Sequence, residues 1–178
     1  MHENFQKRSM RNRTVILSAN GPLILSIPLQ KGKTKSNIKD VLISYEENWI
    51  KDYLEGIKSA YANAPFFDFY FYLIEEIINS KPKSLWALFY SSFKLTESLL
   101  ELKGHGFTDG FKKHYPNDID IRNDKNYHDG IGLKSYNQVF EDKFAFTSKL
   151  SILDLLFNLG PESSSVLKQS KIKADKLI

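Results

Sequence analysis

Cysteine is absent from this chain of 178 residues. Disulfide scaffolds, thiolate metal sites and cysteine nucleophiles are thereby excluded, and the absence fits a reducing compartment. No uninterrupted apolar run approaches the roughly 18 residues that a membrane-spanning helix needs. The opening residues, MHENFQKRSMRNR, are polar and basic, with no apolar stretch behind them of the kind a secretory signal carries. A cytoplasmic protein without a membrane span is expected. There is no internal repeat, no P-loop, no Gly-rich dinucleotide fingerprint and no Gly-x-Ser-x-Gly elbow. Nor is there a large excess of one charge: 25 basic against 21 acidic residues gives +4. That balance permits an acidic small ligand, such as a nucleotide or phosphorylated sugar, and does not demand nucleic acid.

Aromatic residues are abundant, with 13 Phe and 9 Tyr, and apolar residues make up 42% of the chain. This composition supports one globular domain with a real core, spanning 1–178 with a frayed basic tail over 167–178. The fold class expected is α+β. An N-terminal β-hairpin and C-terminal strands form a small mixed sheet, packed by three to five helices.

The hairpin signal is VILSA, Asn20-Gly21, PLILSIPL, in which Asn-Gly suits both positive-φ positions of a type I′ turn. Ile38 to Tyr45 reads as a third strand. Trp49, Ile50, Tyr53, Leu54, Ile57 and Tyr61 fall at helical spacing, and Asn63-Ala64-Pro65 breaks that helix. PFFDFYFYLIEEIINS follows as a helix whose first half, apolar nearly all round, is expected to be buried. Ser84 caps a third helix reaching about Leu102. Residues 107–135 read as loops around one short strand, Asp118 to Ile121. Their His114, His128, Asp118, Asp120, Asp124 and Asp129 match no strong metal-ligand spacing, so no metal is assigned. Tyr136 to Phe140 reads as a strand.

The densest local logic lies in FTSKLSILDLLFNLGPES, residues 146–163. Ser151 can cap a helix and Asp154 can complete a shortened capping box. Gly160 suits the positive-φ position after the helix, and Pro161 forbids continuation. Ser151, Asp154 and Asn158, spaced by three and four, fall along one side of the helix. Capping alone accounts for Ser151 and Asp154 as well as chemistry does; Asn158 is less easily explained that way. Upstream, Lys7, Arg8, Arg11 and Arg13 form a basic cluster. It is either a solvated lead-in or a clamp for phosphate or carboxylate.

Four pieces together resemble the WbqC-like family: NFQKRSMRNR followed by NGPLILSIPL; Trp49 through SAYANAPFFDFY; YNQVF; and LSILDLLFNLGPES. The order and spacing match over most of the chain, excepting residues 104–135. Family members normally begin earlier, with an apolar strand and a Gln-Pro-x-Tyr-x-x-Pro-like motif, so a shortened N-terminus is expected, with activity in question. The resemblance implies surface-polysaccharide biosynthesis of the O-antigen type, with transfer of an aminoacyl or acyl group onto a sugar. Its polar positions fall on Asn4, Lys7, Asn12, Arg13, Gln138, Ser151, Asp154 and Asn158, and in some members on His2 and Glu3.

In that reading the partner is a sugar or a phosphorylated small molecule, and the cofactor is left open. Lys7 and Arg13 bind phosphate or carboxylate. Asn12, Gln138 and Asn158 hydrogen-bond sugar hydroxyls or an amide, and Asp154, oriented by Ser151, is the candidate base. Arg13 and Asp154 are expected to share one sheltered polar hollow, as a site or as a buried salt bridge docking the last helix. The alternative function is a non-catalytic scaffold or binding protein among the partners of a biosynthetic assembly. Nucleic-acid binding ranks last.

Overall fold

The computed structural model describes residues 2–6, 9–31, 37–103, 106–112 and 131–172. A 3-10 turn, Met10–Asn12, leads into β1, Arg13–Ser18, which pairs antiparallel with β2, Gly21–Ser26. Three helices follow: α1, Trp49–Tyr61; α2, Phe67–Asn79; and α3, Leu85–Leu99. Later come β3, Ile131–Gly132; α4, Ile152–Leu159; α5, Ser163–Gln169; and β4, Lys171–Ile172. The fold is α+β.

The hairpin forms with a different turn from the one its sequence suggests. Ser18 pairs with Gly21, so Ala19 and Asn20 make the loop. Gly21 alone takes a positive φ, 101°, and no such angle falls on Asn20. The Ser18 hydroxyl decides the geometry. It accepts the Asn20 N–H at 3.2 Å and donates to the Gly21 carbonyl at 2.7 Å, a side-chain turn that replaces the type I′ backbone.

α1 lies along β1 because its apolar residues recur every four positions. Trp49, Tyr53, Ile57 and Tyr61 are all buried on one face. The two outer tyrosines reach the strand: the Tyr53 hydroxyl bonds Thr14 Oγ1 at 2.8 Å, and the Tyr61 hydroxyl accepts the Leu17 N–H at 3.2 Å. Eight helical residues span about 12 Å and three strand residues about 10 Å, so the two ladders keep step. Phe157 of α4 closes the core from the far side, with ring centroids 5.1 Å from Tyr61 and 5.3 Å from Phe67.

The expected small mixed sheet is replaced by two separate antiparallel pairs, β1–β2 and β3–β4. The outer edge of β1 is already taken. Val15 O accepts the Ser151 N–H at 2.8 Å and the Leu17 N–H goes to Tyr61, so no C-terminal strand can add there. Ile38 to Tyr45 is a 3-10 turn, Ile38–Asp40, followed by isolated bridges Leu29↔Ile43 and Leu42↔Ser84. The sequence also places a short helix over ESSSVLKQ, which forms as α5, while Lys171 and Ile172, expected in a frayed tail, form β4. The expected strand Asp118 to Ile121 and the His and Asp residues of 113–130 lie outside the described residues. α2 is less buried than its sequence implies. Only one side of it meets the core, leaving Phe69 and Tyr72 66% and 57% exposed.

Ser84 caps α3, accepting the Ala87 N–H at 3.1 Å. Gly160 ends α4 at φ 55°, ψ −125°, a conformation open to glycine alone. A Cβ there would lie 2.5 Å from the Phe66 ring, whereas at Gly56 it would meet a Leu25 methyl at 2.9 Å. Gly160→Ala is therefore expected to cost about 2–4 kcal/mol in urea unfolding. Gly56→Ala is expected to stay within about 1 kcal/mol of the parent, because Leu25 can turn and the helix gains propensity.

Candidate functional site

α4 is buried on most of its surface, and two polar residues lie among its buried leucines and Phe157: Asp154, 0% exposed, and Asn158. Three groups from two parts of the chain surround the carboxylate. The Tyr61 hydroxyl donates to Oδ2 at 2.9 Å. The Tyr136 hydroxyl and Gln138 Nε2 donate to Oδ1 at 2.7 and 2.8 Å. The second Gln138 N–H goes to Thr147 O at 3.0 Å, and Gln138 Oε1 accepts the Thr147 N–H at 2.9 Å. The Gln138 amide thus bonds a facing backbone as a strand would. This explains why Tyr136 to Phe140 is irregular chain rather than the expected strand, closing a turn through Glu141 N–H to Gln138 O.

Ser151 caps α4, its Oγ accepting the Leu153 N–H at 3.3 Å. Asp154 does not return to the cap; its side chain turns into the core. Asn158 Nδ2 donates to the Asp154 carbonyl at 2.7 Å. Burial, the largest influence, pushes the Asp154 carboxyl above its usual range, and the bonds from Tyr136, Gln138 and Tyr61 oppose it. Burial, then the neighbouring carboxylate, pushes both phenols up, so they remain donors. Among the described residues no buried side-chain polar atom lacks a hydrogen-bond partner.

Arg13 is elsewhere. Asp154 is tied through the Tyr61 hydroxyl to Leu17, which lies four residues along β1 from Arg13, about 13 Å of strand. Among the described residues no ion pair joins Arg13 to a carboxylate; Arg11 pairs with Glu3. Arg13, Asn12 and Ser151 instead line a second feature, a groove of about 240 Å³ between α2, α3 and α4. Ile74 and Ile77 form one wall, Leu88 and Leu95 another, and Ile152 and Leu156 the third. Asn12 is fixed there by its Nδ2 bond to Ile27 O at 3.0 Å.

The structure therefore divides the residues singled out from the sequence. Asp154, Gln138 and Asn158 form one buried cluster. Arg13, Asn12 and Ser151 share the groove, and Ser151 is the link, because its own helix carries Asp154. Asn4 is in neither. It bridges Asn37 and lines an open hollow with His2 and Phe111. Lys7 lies outside the described residues. Two members of the cluster, Tyr61 and Tyr136, carry no sequence signal that separates them from core or strand aromatics. Among the described residues no helix is long and apolar enough to cross a membrane, and no group of three His, Asp or Glu residues could hold a metal ion.

A model of the WbqC-like protein family matches residues 2–108, and the chain belongs to that family. The matched stretch holds the hairpin, Arg13 and the α2 and α3 walls of the groove; α4 and its buried carboxylate lie beyond it. No curated protein and no solved structure matches the chain.

The buried cluster yields a sign as well as a size. Asp154→Ala strands three donors and is expected to cost about 3–5 kcal/mol. Asp154→Asn keeps an acceptor for Tyr136 and Gln138 and leaves the Tyr61 hydrogen unpaired, a loss of about 1 kcal/mol. The folded carboxyl binds its proton more tightly than the unfolded one. Its contribution to stability is complete below about pH 3.9, the unfolded value, and declines as pH rises through the higher folded value. In urea unfolding at a series of pH values, the advantage of the parent over Asp154→Asn is expected to shrink across that window.

Proposed function

We propose that the protein serves surface-polysaccharide biosynthesis of the O-antigen type, binding an acyl or aminoacyl donor and a sugar acceptor for transfer of the acyl group to the sugar. The observation that carries this reading is the groove, lined mostly by apolar side chains with Arg13, Asn12 and Ser151 among its polar lining residues. Such a site holds an apolar group by burial and fixes its polar end with a few donors. In the transfer, a sugar hydroxyl or amine bonds to the acyl carbon. The bond to the donor's leaving group breaks, and the acceptor's proton passes to that leaving group.

Arg13 holds the anionic part of the donor, since its planar donors match carboxylate or phosphate. Ser151 Oγ accepts from Leu153 and keeps its own hydrogen to offer a ligand oxygen. Lys7 enters as a further anion contact on the family resemblance alone. Asp154 is assigned a positioning role: its carboxylate is enclosed by Tyr61, Tyr136 and Gln138, and it holds α4, with Ser151, against β1. As a base it would have to act through Tyr136, the half-buried member of that cluster.

A scaffold reading is favoured by one separate observation. Phe69, Tyr72, Phe89 and Tyr90 are exposed on α2 and α3, and exposed aromatics are enriched at protein interfaces.

With an acyl donor and a sugar acceptor, Arg13→Ala is expected to lower kcat/KM at least tenfold while the melting temperature stays within about 2 °C of the parent. Product is read by mass spectrometry. An unchanged kcat/KM would remove the groove from the reaction. Absence of transfer with every donor, together with capture of a partner lost on Phe89→Ser, would favour the scaffold.

A further inference from the structure

The apolar and the charged lining of the groove come from different segments, and the difference narrows the ligand. α2, α3 and α4 supply isoleucine and leucine side chains, several of them half-buried. Among the described lining residues charge comes from one segment, Arg11 and Arg13. Glu3 balances Arg11, whereas Arg13 has no ion pair among the described residues. Among the described residues lining the groove there is no aspartate or glutamate. An α-ammonium group, which every simple aminoacyl donor carries, would lie near two guanidiniums without a carboxylate to meet it. An acyl chain has no such conflict.

Size points the same way. A dry cavity of about 150 Å³ holds benzene, six carbon atoms. On that scale the groove of about 240 Å³ takes roughly ten carbon atoms. We infer that the groove binds a medium-chain aliphatic acyl group ending in a carboxylate, with the chain between α2, α3 and α4 and the carboxylate at Arg13. The inference rests on reading the groove as the substrate site. The free acid has no leaving group and stands for the chain and head of the donor rather than the donor itself. The inference favours an acyl donor over an aminoacyl one.

The test is titration calorimetry of the full chain with straight-chain carboxylates from butanoate to tetradecanoate. Affinity is expected to rise about fourfold per methylene and to level off near ten carbons, where the groove is full. Arg13→Gln is expected to weaken decanoate about tenfold and to leave decanol unchanged. Ser92→Trp places an indole in the groove from an exposed position on α3 and is expected to abolish the dependence on chain length; circular dichroism checks that this variant is folded. Affinity that is flat across the series overturns the inference. So does tighter binding of decylamine than decanoate, or an equal effect of Arg13→Gln on decanol and decanoate. A preference for decyl phosphate over decanoate of more than tenfold reassigns Arg13 to a phosphate head and overturns the carboxylate. Chain-length-dependent binding with no transfer to any sugar sustains the inference and sinks the transfer reading. Aminoacyl transfer without carboxylate binding does the reverse.

Discussion

One buried negative charge with no cation beside it organises the protein. Among the described residues the Asp154 carboxylate meets only neutral donors: two phenols and an amide. Taking a carboxylate out of water costs several kcal/mol, and three charge-assisted hydrogen bonds offset much of that. The bonds are useful because of where the donors come from. Tyr61 ends α1, Tyr136 and Gln138 belong to the segment before α4, and Tyr61 also holds β1 through Leu17. A single carboxylate therefore sets the relative positions of hairpin, first helix and last helices. Packing of Phe157 against Tyr61 and Phe67 surrounds the arrangement with hydrocarbon and keeps water out.

The same arrangement explains the groove. α4 is docked at two points: the Ser151 N–H on Val15 O, and Asp154 on the donors behind it. With α4 fixed, its Ile152 and Leu156 cannot shift towards α2 and α3 to fill the gap, so the space between the three helices stays open. Ser151 belongs to both features. Its backbone secures the helix, and the residue lines the groove.

Much of this was legible in the sequence, and what was not has identifiable causes. The α+β class, the capped α3, the cap at Ser151 and the stop at Gly160-Pro161 follow from local rules about periodicity and termini. The paired strands at 13–26 follow too, although their turn does not, because a serine hydroxyl outweighed the Asn-Gly preference. Tyr136 to Phe140 carries a strand-like pattern, but Gln138 satisfies the facing backbone with its side chain, an event no propensity encodes. The residues of α4 were singled out because polar groups interrupt an apolar helix. Their partners, Tyr61 and Tyr136, are 93 and 18 positions away, and sequence spacing says nothing at that range. The expected meeting of Arg13 with Asp154 placed a cation opposite an anion; the carboxylate instead bonds Tyr61, Tyr136 and Gln138, and Arg13 lines the groove.

The hairpin's two edges are unequal, and this bears on self-association. β1 is sealed along its outer side by Ser151 and Tyr61. Among the described residues β2 has no strand on its other side, and it carries Leu23 and Ile24, 40% and 52% exposed, which makes it a template for a second chain's strand. Its outward-facing positions, however, are Pro22, Ile24 and Ser26, with Pro28 just beyond. Pro22 offers no N–H and the Pro28 carbonyl is already taken by the Ser44 N–H, so a foreign strand finds two donors, at Ile24 and Ser26, in three places. The protein keeps an apolar rim there without presenting a continuous ladder for fibrils to grow from.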